Sequence, residues 1–245
     1  MGREGHKDMT LGVIGGMGPM ATAYFMELII RMTDGTTDQE HLPMIIYHSP
    51  GIADRTSYIL GNSQENPALD IIRIGRLLAL QGAACISIPC ITAHYFHKEL
   101  SEQIPIPIIH GIRETALELL ENHVKRAGIM ATDGTLQSRL FQTQLEEAGI
   151  EPVIPAAGFQ KMVMELIYQD IKAGKPVRPK HFQSVSAHLW ERGAEVIILG
   201  CTELSLIKKE FPIGEGYLDA MELLAQRSIL QCRGRLKKEY QCLIR

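Results

Sequence analysis

Two stretches of this chain repeat one another. GAACISIPC runs from Gly82 to Cys90 and GAEVIILGC from Gly193 to Cys201, each with the glycine-alanine pair eight positions before the cysteine and an apolar strand candidate between. Upstream of each lies a second marker: GVIGGMG from Gly12 to Gly18 and GIMATDG from Gly128 to Gly134, with outer glycines six positions apart in both. Self-similarity at matched spacing is the mark of a duplicated structural unit. Each unit therefore starts on a strand with a glycine-rich exit and finishes on a strand that stops at a thiol.

The segments between the markers alternate strand and helix patterns. LGVI leads through GGMGPMAT into a helical spacing of Phe25, Leu28, Ile29 and Met32, MIIYHSP reads as a strand, and NPALDIIRIGRLLALQ reads as an amphipathic helix opened by Asn66-Pro67. Such alternation predicts α/β architecture with parallel-type sheets flanked by helices. The expected molecule has two similar domains related by a pseudo-two-fold axis. One spans 1–112 and is joined by a C-terminal helix within 215–245, read over 218–242, and the other spans 113–214. Ligands of open α/β sheets bind beyond the strand ends, so the site is expected in the interdomain cleft.

Two thiols on opposite walls of one cleft can address opposite faces of one carbon atom. Cys90 and Cys201 each also precede a predicted helix, over 92–100 and 202–209, and a helix N-terminus lowers a thiol pKa and offers N–H groups to a carboxylate. Thr92 and Thr202 add hydroxyl donors. Cys85 lies inside its strand and reads as core, while Cys232 and Cys242 carry no partner motif. RGRLKK, from Arg233 to Lys238, reads as a solvated helix face.

Composition narrows the partners. With 25 basic and 28 acidic residues and a net charge of -3, nothing favours nucleic acid or an anionic membrane. The apolar runs fall short of the roughly 18 residues that a membrane span needs. An odd count of five cysteines without framework spacing, and no signal-peptide pattern, fit a reducing cytoplasm. Met1-Gly2 lacks the hydroxyl residue of a myristoylation signal, and CLIR at the end is a poor prenylation box.

Taken together, GGMGPMAT, DQEHLP, ADRT, PCITAH, the DGT loop, IKAG and LGCTELSL resemble the aspartate/glutamate racemase family, in the family's order from residue 11 to about 206. The resemblance implies a cofactor-independent racemase with no metal, commonly a homodimer. Cys90 and Cys201 would be its acid/base pair. It further implies that Arg55 and Lys172 contact substrate carboxylates and that Ile91, Thr92, Ala93 and Thr202 line the carboxylate end. Ile91 stands where the family usually has asparagine, which removes an amide beside the thiol. Aspartate is the favoured substrate, with glutamate possible.

Other readings attach to particular residues. GMGPMA satisfies a dinucleotide pattern, but the next strand ends in His48 and Ser49 rather than an acidic ribose ligand. Cys90, His94 and His97 are metal-ligand types at a spacing that matches no strong zinc pattern, and His94 reads as support for the local fold. A non-catalytic binder of a small dicarboxylate or amino acid, or a related paired-cysteine isomerase or decarboxylase, uses the same scaffold.

Overall fold

A computed structural model describes residues 9–244. Seven strands, β1 (Leu11–Gly15), β2 (Met44–His48), β3 (Cys85–Ser87), β4 (Arg126–Met130), β5 (Glu151–Val153), β6 (Val196–Leu199) and β7 (Tyr217–Asp219), form two sheets of order β2-β1-β3 and β5-β4-β6-β7. Every strand pairing within them is parallel. The mixed α/β fold expected from strand-helix alternation is present. The myristoylation motif at Met1-Gly2 lies outside the described residues, as does Arg245.

The duplication is visible at atomic detail. β1 and β4 are the central strands, and the repeated glycines sit in them because a side chain has no room. A Cβ on Gly12 would lie 3.0 Å from Ala83 Cβ and 3.3 Å from Leu78, and one on Gly128 would lie 3.2 Å from Ala194 Cβ and 3.3 Å from Leu189. The Gly-Ala pairs end the preceding helices: Gly82 and Gly193 adopt φ of 89° and 86°, and Ala83 and Ala194 return N–H bonds to the Leu78 and Leu189 carbonyls. Even the extra strand has a counterpart. Ile197 N–H bonds Gly216 O beside β7, and Ile86 N–H bonds Pro107 O beside an isolated parallel bridge to Ile108.

Helix Pro67–Leu80 starts as its sequence demands, with Asn66 Oδ1 accepting from Ala68 N–H at 2.9 Å and proline in the first turn. Its Ile71, Ile74 and Leu78 are buried with Ile14, Ile86 and Ile88 on one face of the first sheet. Val163, Val185, Leu189 and Ile197 form the equivalent cluster on the second. A third cluster, including Phe25, Leu119, Phe141, Ile198 and Leu224, runs between the two sheets and ties them together.

The C-terminal segment departs from the expected helix over 218–242. Tyr217–Asp219 pairs with β6, and the helix occupies Ala220–Gln231. Three strand residues are too few for a period to show in sequence. The helix packs on helices Pro19–Met32 and Gly111–Glu121. Arg233, with φ of 62°, then ends it, so RGRLKK is a turn whose Leu236 bridges Thr33 rather than a helix face. Among the described residues no helix is long and apolar enough to cross a membrane.

Candidate active site

β3 delivers Cys90 through Ile88-Pro89, and Cys90 caps a 3-10 helix, Ile91–Phe96, that passes into helix His97–Gln103. The single helix predicted over 92–100 is thus two elements. β6 delivers Cys201 through Gly200, where a Cβ would meet Phe141 at 2.6 Å, and Cys201 caps helix Thr202–Glu210. Both cysteines are buried and line one cavity between the sheets, together with Arg55, Ile91, Thr92, Lys172 and Thr202. Ala93, fully buried among Ile88 and Phe96, does not line it.

The space at the thiols is closed down to about 10 Å³, room for about one water. Met17, Asp54, Arg55, Lys172 and Glu203 border both this space and an adjoining vestibule of about 450 Å³. Those five residues stand between the sulfurs and solvent.

Arg55 is only 6% exposed. Its Nη1 donates to Ile52 O at 3.2 Å and Ala53 O at 2.9 Å, while its Nε has no hydrogen-bond partner among the described residues. Burial works against its charge, but Cys90 and Asp54 beside it outweigh that and hold the guanidinium pKa above its ordinary value. Asp54 caps helix Arg55–Ile59 through Ser57 N–H. Burial raises its pKa, yet that N–H bond, Lys172 and Arg55 hold it below the usual carboxylate value. Tyr168 Oη donates to Asp54 Oδ2 at 3.1 Å, and burial pushes its own pKa up to about 12.

Lys172 ends a π-helical segment, Glu165–Ile171, with Nζ 3.7 Å from Asp54 Oδ2 and 4.3 Å from the Tyr168 ring centroid. Burial opposes its charge too, but Glu203, then Tyr168 and the two thiols, keep its pKa above that of an ordinary lysine. It borders both the inner space and the vestibule, with its side chain 26% exposed.

The thiol expected to be acidified at a helix start is not so at Cys201. Its Sγ donates to Glu203 Oε2 at 2.9 Å, and Thr202 Oγ1 donates to the same oxygen at 3.2 Å. Burial first, then the negative charge of Glu203, raise the Cys201 pKa well above that of a free thiol, with Lys172 pulling the other way. A full carboxylate in contact outweighs the partial charge of a helix end. Glu203 was missed in the sequence, although an acid two positions after a helix-capping cysteine is the signal that marks it.

The halves also interlock. A Cβ on Gly18 would lie 3.1 Å from Glu203 Oε1, and one on Gly134 would lie 3.0 Å from Thr56 Cα, so each unit's first loop abuts the other unit. Thr92 Oγ1 lies 3.0 Å from Thr132 Oγ1 and 3.1 Å from Thr135 Oγ1, a buried hydroxyl triangle across the cleft. Ile91 turns its tip toward the start of helix Gly111–Glu121, 3.6 Å from a Cβ position on Gly111. Its side chain belongs to the buried cluster that runs between the sheets.

His94 is buried, with its ring 5.7 Å from His110 and 6.2 Å from His97. Burial, with those two rings, lowers its pKa to about 3. Cys90 lines the cavity, which His94 does not, and among the described residues no cluster of three or more ligand types is placed to hold a metal. Cys85 is core as expected, 3.4 Å from Cys232 across the seam between β3 and the C-terminal helix.

Two strand-end cysteines, one cavity and a bordering arginine and lysine call for comparison with proteins of this shape. The family model described as Asp/Glu/hydantoin racemase matches residues 14–227. The chain belongs to this racemase family. It is 30% identical over 232 residues, 89% of this chain and 96% of the relative, to the broad specificity amino-acid racemase RacX of Bacillus subtilis (strain 168). The aspartate racemase of Picrophilus torridus superposes with a TM-score of 0.83 at 30% identity, over 96% of this chain and 99% of that one. Glutamate racemase from Francisella tularensis, solved with D-glutamate, shares the racemase fold at a TM-score of 0.61 and 17% identity, over 90% of this chain and 79% of its own.

Proposed function

We propose that this protein is a cofactor-independent racemase of free amino acids, acting on aspartate or another acidic amino acid. Cys90 and Cys201 exchange the α-proton at opposite faces of the substrate. The observation that carries the reading is that the two duplicated strand-end cysteines line one cavity. In one direction the Cys90 thiolate removes the α-hydrogen as the Cys201 thiol delivers its own proton from the far side. The C–H pair of electrons stays on the α-carbon and forms the new C–H bond. The reverse reaction exchanges the roles. One thiol and one thiolate are present before and after each turnover.

The α-hydrogen is far less acidic than a thiol, so the carbanion must be stabilised electrostatically in a site that excludes water. The supports are the buried Arg55 fork, Lys172, and the N–H groups where the helices begin after Cys90 and Cys201. Incubation in heavy water with each enantiomer of aspartate and glutamate tests the reading: deuterium is expected at the α-carbon, and both Cys90→Ala and Cys201→Ala should abolish racemisation. Exchange that persists unchanged in both variants would refute the assigned roles, and binding without exchange would make the protein a binder.

The domain division at 1–112 with 215–245, and 113–214, belongs to the same proposal, as does a cytoplasmic site of action, which five free cysteines support. A homodimer is proposed with it. Leu69 and Leu80, 66% and 85% exposed on helix Pro67–Leu80, are apolar surface for a partner copy to cover. Light scattering of the eluting protein would give the mass directly, and a monomer would remove this element.

A further inference from the structure

We infer that the vestibule receives the substrate side chain and extends the substrate range to amino acids with neutral, apolar side chains of leucine or methionine size. This rests on the racemase reading of the cavity. The gap at the thiols is about 10 Å³, and the nearest larger space is the vestibule that it adjoins. A side chain must therefore point toward the five shared residues and into the 450 Å³ beyond them, a volume in the range of small-molecule sites. Met17, Met20, Ile52, Ile171 and Leu206 give that space its apolar walls.

Charge leads to the same conclusion. The ionisable residues lining the vestibule are Asp54, Arg55, Lys172 and Glu203, two of each sign. They are already matched: Lys172 Nζ lies 3.7 Å from Asp54 and its charge is supported by Glu203, and Arg55 Nη1 is held by two backbone carbonyls. An amino acid with a neutral side chain arrives as a zwitterion and leaves this balance unchanged. A second carboxylate adds one negative charge near Asp54 and Glu203 and must share Arg55 or Lys172 with their present partners. Apolar walls stabilise an apolar side chain by removing it from water, and they offer a carboxylate nothing in exchange for its hydration.

The test is deuterium uptake at the α-carbon of L-leucine, L-methionine, L-aspartate and L-glutamate by the intact protein, followed by mass spectrometry. Exchange is expected in leucine and methionine at rates at least equal to that in aspartate. Leu206→Asp should lower the leucine-to-aspartate ratio of kcat/KM at least about tenfold, the scale on which apolar pockets discriminate. Met20→Glu, at a position 68% exposed where folding is not at stake, should lower it in the same direction. Exchange confined to aspartate and glutamate, or a ratio unmoved in both variants, overturns this inference and leaves the racemase reading standing. No exchange with any of the four overturns both.

Discussion

Glu203→Gln isolates the charge beside the second thiol. Glutamine keeps the volume and an acceptor oxygen for Cys201 Sγ and Thr202 Oγ1, which lie 2.9 and 3.2 Å from Glu203 Oε2, so the change is one unit of charge. At an effective dielectric of about 20, two unit charges about 4 Å apart interact by about 4 kcal/mol. At roughly 1.4 kcal/mol per pKa unit, removing that repulsion should let Cys201 ionise about two to three pH units lower. The sign for activity follows in the direction in which Cys201 delivers the proton: it does so only below its pKa, so the alkaline limb of that kcat/KM profile should move down by the same interval. Burial, the larger cause of the raised pKa, remains in the variant, so the loss should show on the alkaline side and activity at neutral pH should be kept. Peptide-level mass spectrometry of iodoacetamide alkylation against pH reads the Cys201 ionisation directly. If that ionisation does not move, Glu203 is not what holds the proton on Cys201.

Arg55→Lys keeps a charge but loses the planar fork, so KM should rise about 10- to 100-fold with little loss of stability, measured by initial rates beside a thermal melt. Gly12→Ala brings a methyl within 3.0 Å of Ala83 Cβ and 3.2 Å of Cys85 O, and should cost about 1–3 kcal/mol in urea unfolding; no loss would show that the seam can give. His94 takes its proton near pH 3 when folded against an ordinary 6.5, so stability falls as pH drops through that window. His94→Phe should flatten the fall by about 1.4 kcal/mol per pH unit, seen in urea midpoints between pH 6 and about 4.

The parts of the molecule that could be read from sequence are those in which one residue type has one use at a fixed spacing. Gly12 and Gly128 mark central strands because only hydrogen fits against Ala83 and Ala194, and the Gly-Ala pairs mark helix ends because the glycines take positive φ. The cysteines could be located for the same reason, since a strand that stops on a polar group at the sheet's end points to the cleft. What could not be read was contributed across the duplication. Asp54 and Tyr168 meet over 114 positions, and Thr92 meets Thr132 and Thr135 over 40 and 43, distances at which no periodicity speaks. The π-helical turn that ends at Lys172 leaves no mark either, because its hydrogen-bond offset is a backbone choice made by packing. Ile91 follows the thiol directly in sequence, and the turn of its side chain toward Gly111 is a matter of packing that its position does not announce.

The two units share their backbone devices and differ in the charge set beside each sulfur. Cys90 has the Arg55 guanidinium beside it; Cys201 has the Glu203 carboxylate. Perfect repetition would serve proton exchange poorly. Two sulfurs in identical surroundings would hold a proton equally, with nothing to distinguish acid from base. A cation beside one sulfur and an anion beside the other makes identical groups unequal, and on the proposed reading the two enantiomers start from opposite placements of the single proton. Lys172 fits this division because it feels Glu203 and both sulfurs at once, so its charge remains near the pair whichever sulfur holds the proton. Duplication accounts for the sulfurs, and divergence at Arg55 and Glu203 accounts for their being different.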